Sequence, residues 1–210
     1  MIETLALRFN EGGPFMWIIL GVLAVACAVS LERFIFYVFV CRTSGAQSVS
    51  LIAKAINEGN TEEAERIAHR NKAPVDVLLA IAVDRFKEGM SEEEIREGVE
   101  EAAIREVPKM SQRLNYLALF ANIATLLGLL GTIAGLQVSF SSLAAVEASK
   151  KAGLLAQGIS QAMNTTAFGL LVAVPCMVLY TILNNTQLRL TKDLDEAVVR
   201  LMNYFKRARS

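Results

Sequence analysis

LNYLALFANIATLLGLLGTIAGLQVSFSSLAAV, residues 114–146, runs without a charged side chain. A bilayer core about 30 Å thick is crossed by about 20 apolar residues in a helix, so this stretch spans it with residues to spare. A second stretch, Ala152 to Leu188, repeats the pattern, and only Glu147, Lys150 and Lys151 carry charge between the two. Both contain small and hydroxyl residues at helical spacing: Gly128, Gly131, Thr132 and Gly135 in the first, Ala162, Thr166, Gly169 and Ala173 in the second. Neither carries a carboxylate or a base. Such helices are built to pack against other helices and to line something, without supplying a titrating group.

A third apolar run, Gly12 to Leu31, lies near the N-terminus and continues past Glu32 and Arg33 into Phe34 to Val40. Its flank is poorly basic and no small-residue cleavage site ends it, so it reads as an uncleaved span rather than a signal peptide. Composition over the whole chain, 53% hydrophobic and 20% charged with zero net charge, resembles that of a soluble protein. The charges are segregated, however. Between Arg42 and Arg113 there are eleven Lys/Arg and fourteen Asp/Glu, so one water-compatible insert separates the first span from the other two.

Orientation follows from the basic residues at the span ends. Arg33, Arg42 and Lys54 follow the first span, Arg105, Lys109 and Arg113 precede the second, and Arg189, Lys192 and Arg200 follow the third. Arg8, Lys150 and Lys151 lie on the other side. The excess puts the insert and the C-terminal tail in the cytoplasm. Cys27, Cys41 and Cys176 all sit in or beside spans and form no disulfide or metal pattern.

Within the insert the signals are helical. Val49 to Glu58 is amphipathic and stopped by Gly59. Asn60 with Glu63 gives the spacing of a capping box ahead of Thr61 to Arg70, and Ser91 with Glu94 gives another. Pro74 suits the first turn of a helix running to Glu88. From Glu92 to about Leu143 only Gly98 and Pro108 interrupt the pattern, which predicts one helix of about 50 residues bent near Pro108. The third span is expected to run on past Leu188, through Ala197 and Leu201, to Phe205.

The expected fold is therefore an all-α integral membrane protein with three transmembrane helices and long helices reaching into a cytoplasmic helical domain. The boundaries read as an outside segment 1–13, a first span with its extension 14–40, the insert 41–113, a second span 114–146, an outside turn 147–153, a third span 154–188 and a cytoplasmic helix 189–210.

Functional candidates lie in the spans. Gly131 and Gly135 form a GxxxG pair with Gly128 a turn earlier, and in lipid small residues let backbones approach closely. In the third span Gln161, Asn164, Thr165 and Thr166 place four hydrogen-bonding side chains within six residues. Exposure of such groups to lipid is costly, so they are expected to face other helices or a wet cavity. Ala162, Thr166, Gly169 and Ala173 fall within about 60° on a helical wheel, and Pro175 frees a carbonyl where the helix can bend. From the residues alone, the glycines read as a packing seam. The polar cluster reads either as interhelical glue or as the wall of a cavity.

IATLLGLLGTIAGLQVSF at 123–140 followed by GISQAMNTTAFGLLVAVP at 158–175 resembles the two membrane signatures of the MotA/TolQ/ExbB proton-channel family, with the ExbB and TolQ branch fitting best in size and layout. LERF at 31–34 and EAAIREVPKMSQRLNYLALFANIA at 101–124 extend the resemblance over most of the chain. It implies a three-span subunit of a bacterial inner-membrane motor with a periplasmic N-terminus. It also implies a homo-oligomer of five such subunits around a dimer of a single-span ExbD- or TolR-like partner bearing the titrating aspartate. The work is delivered to a TonB- or TolA-like protein. The family's pore-lining threonines map onto Thr132 and Thr166. Many ExbB-like chains have a glutamate where this one has Gln161, and a proline is common where Thr125 stands.

A proton-driven machine needs a group that gains and loses a proton inside the membrane, usually a carboxylate. No such group lies between the span ends here, so the expected machine borrows its acid from another polypeptide. Two rival readings remain: a gliding or flagellar-type stator subunit driven by H+ or Na+, and a non-conducting membrane scaffold. Catalysis is not expected, because no nucleophile–base pair or nucleotide motif can be assembled, and neither a cofactor nor a resident metal is. The basic C-terminus, with Lys206, Arg207 and Arg209, suits topology or lipid headgroups rather than nucleic acid.

Overall fold

A computed structural model of the chain describes Phe9 and residues 12–41, 45–143 and 146–208. Every regular element among the described residues is helical. They are α1 (Pro14–Ile35), a π-helical turn (Phe36–Val40), α2 (Gly45–Asn57), α3 (Thr61–Ala68), α4 (Pro74–Lys87), α5 (Glu92–Ser111), α6 (Asn115–Ser142) and α7 (Ala148–Ala208). Three helical stretches, carrying α1, α6 and α7, are long and apolar enough to cross a membrane. The fold is all-α and that of a membrane protein. Expectations that fell on Arg8 and Arg42, or on Arg209, lie outside the described residues.

The described residues divide into two compact units. One holds those up to Leu31 and those from Arg113 to Ile182; the other holds 32–112 and 183 onward. They are called here the membrane unit and the insert unit. α7 contributes to both and continues through Pro175 without interruption.

The insert unit is organised around a hydrophobic core. Ile52 from α2, Ala64 from α3, Leu79 and Val83 from α4, Ile95 and Val99 from α5, and Leu201 and Phe205 from α7 are all buried within it. Phe205 stacks on Phe86 with ring centroids 4.2 Å apart. Burial of such side chains is worth about 1.5–3 kcal/mol each, which is why this region has the ordinary interior of a soluble helical domain. The caps follow the sequence signals in part. Ser91 and Glu94 make both halves of a capping box: the Glu94 N–H donates to Ser91 Oγ at 3.3 Å and the Ser91 N–H donates to Glu94 Oε2 at 2.7 Å. That second bond holds the Glu94 carboxyl below the usual glutamate range. At α3 the Glu63 N–H donates to Asn60 Oδ1, but the Glu63 carboxylate turns instead to Arg66 at 2.8 Å. Only the forward half of that box forms.

The single helix expected from Glu92 to Leu143 is two helices. α5 ends at Ser111, Gln112 turns extended with ψ 137°, and Arg113 takes a left-handed φ of 64° before α6 begins. The cause is tertiary. In a continuous helix the carbonyls of Lys109 and Met110 would accept from residues 113 and 114. Here Arg33 donates to the Lys109 carbonyl at 3.3 Å and the Tyr37 hydroxyl donates to the Met110 carbonyl at 2.7 Å. Two side chains from the end of α1 and the π-helical turn thus satisfy the acceptors that helix continuation would have used. Arg33 is held for this task by Glu32 at 2.8 Å and by the face of Phe36, 5.0 Å from the ring centroid.

Candidate functional site

In the membrane unit, α6 and α7 meet along residues that have almost no side chain. On α6 the buried positions are Leu117, Ala121, Ala124, Gly128, Gly131, Gly135 and Ser139. Facing them, Gly158, Ala162, Thr165 and Gly169 of α7 meet α6, and their alternating spacing of four and three continues through the buried Val172 and Cys176. This is the spacing that keeps one face of a helix turned to a neighbour. A Cβ on Gly169 would sit 2.7 Å from the Ala124 carbonyl oxygen and 3.0 Å from the Gly128 Cα, so backbone meets backbone there. A Cβ on Gly131 would strike the Thr165 methyl at 2.2 Å. One on Gly135 would lie 3.3–3.5 Å from Ala162, an already tight contact.

The hydroxyls on and beside this seam have defined partners. Thr165 is fully buried, and its proton is shared between the Gly12 carbonyl at 2.8 Å and the Gln161 carbonyl at 2.9 Å. Thr166 is half-buried and donates across the seam to the Gly128 carbonyl at 3.1 Å. Thr132, also half-buried, donates to the Leu129 carbonyl of its own helix at 2.5 Å. Thr125 does the same with Ala121 at 3.0 Å. Because these protons are committed to carbonyls, what each oxygen still offers is its two acceptor lone pairs.

The polar cluster of the third span does not gather around one point. Thr166 faces α6, whereas Gln161 and Thr165 address the turn that precedes α1. Gly13 there has φ +76°, and a Cβ on it would lie 2.3 Å from the Gln161 side-chain nitrogen. Phe9 packs edge-on against Phe168 at 5.4 Å and against Trp17 at 5.0 Å, closing the same turn. Asn164 is half-buried on the Gln161 side of the helix. Ala173 is buried beside the seam, and Pro175 is exposed.

The seam is therefore wider than the GxxxG pair suggested. The wheel face centred between Ala162, Thr166, Gly169 and Ala173 is rotated in the structure toward Thr165. Sequence reading also passed over Ala124, Ser139 and Gly158. Gly158 was findable: it continues the four-and-three spacing of Ala162, Thr165 and Gly169 one turn toward the N-terminus. The Gly12–Gly13 turn was not, since nothing local connects it to Gln161.

The sequence pattern of the MotA/TolQ/ExbB proton channel family matches residues 49–196. A biopolymer transport protein ExbB homologue of Methanothermobacter thermautotrophicus is 27% identical over 203 residues, covering 96% of this chain and 70% of its own length. Biopolymer transport protein exbB1 of Vibrio cholerae is 30% identical, covering 84% of this chain and 77% of its own. The Tol-Pal system protein TolQ of Pseudomonas aeruginosa is 36% identical over 100 residues, 46% of this chain and 43% of its own.

Proposed function

Since the chain belongs to the MotA/TolQ/ExbB proton channel family, we propose that it is the ring-forming stator subunit of an ExbB–ExbD or TolQ–TolR type motor in the inner membrane. It couples proton flow to mechanical work on a TonB- or TolA-like envelope partner. In this reading five copies surround a dimer of a single-span protein that carries the titrating aspartate. The insert and C-terminal helix face the cytoplasm, as the basic flanks of the spans require.

One observation carries the reading: α6 and residues 152–188 of α7 combine hydroxyls with an absence of acidic and basic side chains. Thr132 and Thr166 spend their protons on the Leu129 and Gly128 carbonyls, which leaves acceptor lone pairs free. An acceptor complements a neutral carboxylic acid, which donates, and disfavours a carboxylate, which does not. The two threonines thus form a resting place for the protonated partner, and ionisation of its aspartate removes the reason to stay. Gln161, in contact with the N-terminal turn, serves as an uncharged strut in place of a relay group.

The test is Thr132→Val together with Thr166→Val. Valine keeps the shape of threonine and removes its oxygen. Proton-dependent work should fall by an order of magnitude or more, while copurification with the single-span partner and a subunit count of five by native mass spectrometry persist. Unchanged work in the double variant would remove the threonines from the pathway. Failure to copurify any acidic single-span partner would instead favour the scaffold reading.

A further inference from the structure

The only histidine of the chain, His69, stands at the C-terminal end of α3, and the structure surrounds it with two carboxylates from different helices. Glu65 lies one turn earlier on α3, where its side chain shares the His69 face. Asp84 reaches over from α4, with both carboxylate oxygens 3.1 Å from His69 Nε2. One donor atom from each of the three residues lies within 4.8 Å of the other two.

From this arrangement we infer that Glu65, His69 and Asp84 form a Zn2+-binding site that bridges α3 and α4 on the surface of the insert unit. Tetrahedral ligands about 2.0–2.1 Å from zinc stand about 3.3 Å from each other, so the His69–Asp84 spacing already fits and Glu65 needs only a change of rotamer. An imidazole among the donors selects zinc over magnesium or calcium, which take oxygen ligands. Zinc takes the neutral imidazole, so Nε2 coordinates with its lone pair while the ring proton sits on Nδ1. Glu65, Glu62 and Asp84 all act on the Lys87 ammonium, so three carboxylates gather on this side of His69, while Arg66 and Arg70 line the hollow on its other side. The fourth coordination position is open to water, since His69 is exposed.

Lys87 is the resident competitor. Its Nζ bonds Glu65 Oε2 at 2.6 Å and keeps that carboxyl ionised, below the usual glutamate range. Zinc must take Glu65 from it. Removing the ammonium should therefore strengthen metal binding.

The experiment is calorimetric titration of the full chain in detergent micelles with Zn2+, in a non-chelating buffer, beside Co2+ absorption spectra that report ligand type. The expected result is one Zn2+ per chain and a Co2+ spectrum without thiolate charge transfer. Affinity should fall by about tenfold or more in His69→Ala and in the isosteric Asp84→Asn. It should rise several-fold in Lys87→Met. All three side chains lie on the surface of the helices, and circular dichroism of each variant should match the parent. Affinity unchanged in His69→Ala, a thiolate band from Cys27, Cys41 or Cys176, or no uptake at all overturns the site.

Discussion

The two units of this protein are held together by opposite kinds of residue. In the insert unit the interior is made of Leu78, Leu79, Val83, Leu201 and Phe205, each withdrawing apolar surface from water. In the membrane unit the seam is made of Gly128, Gly131, Gly135, Gly158 and Gly169, and the large apolar side chains Leu126, Ile133, Val138, Leu171 and Val174 point outward. The difference teaches which force is at work in each solvent. Water drives large side chains inward. Lipid tails offer no such push, so association in the bilayer comes from close backbone approach and hydrogen bonds between helices, and small residues permit both.

If that contrast is right, substitutions of opposite sense should damage the two units. The largest effect is expected from Leu201→Ala, which hollows the insert core and should cost about 2–5 kcal/mol in chemical denaturation. The same large-to-small change at outward-facing Ile133 should barely register in the isolated subunit. Next comes the small-to-large change Gly169→Val. Its Cβ meets the Ala124 carbonyl and the Gly128 backbone, neither of which can swing aside, so overpacking should cost about 1–3 kcal/mol and lower the thermal midpoint in lipid nanodiscs. A Gly169→Val protein as stable as the parent would mean that the α6–α7 contact is looser than drawn.

Smaller effects sharpen the picture of the insert unit. Asn60→Ala removes the side-chain acceptor of the Glu63 N–H and should destabilise by about 1 kcal/mol, seen as a lower denaturation midpoint. The Glu94 carboxyl, depressed by its bonds from Ser91, should titrate below the ordinary glutamate value in side-chain NMR. Its contribution to stability is present above that ordinary value and fades as pH falls through the depressed one. Ser91→Ala should return the titration toward normal; no movement would mean that the box does not persist in solution.

The helix break at Arg113 shows where local reading stops. Residues 92–143 offered a continuous helical pattern, and Pro108 was the expected site of change. The break comes instead where Arg33 and Tyr37, more than seventy residues earlier in the chain, take the Lys109 and Met110 carbonyls at sequence separations of 76 and 73. The candidate site behaves alike. Its glycine content and its hydroxyls were visible from spacing. The division of its polar residues between α6 and the Gly12–Gly13 turn was not, because Thr165 finds the Gly12 carbonyl across 153 residues of chain.

By itself the sequence determined the solvent of each segment and the helical state within it, since charge density, apolar length and capping residues act over a few turns. It also determined that no acidic or basic side chain lies within the second or third span. Only the tertiary structure decided which face of α7 forms the seam, where the long helix breaks, and that Asp84 joins Glu65 and His69. Those outcomes depend on which carbonyls and carboxylates distant segments bring within 3 Å or so of a donor, and hydrogen-bond reach is too short to be read from spacing along the chain.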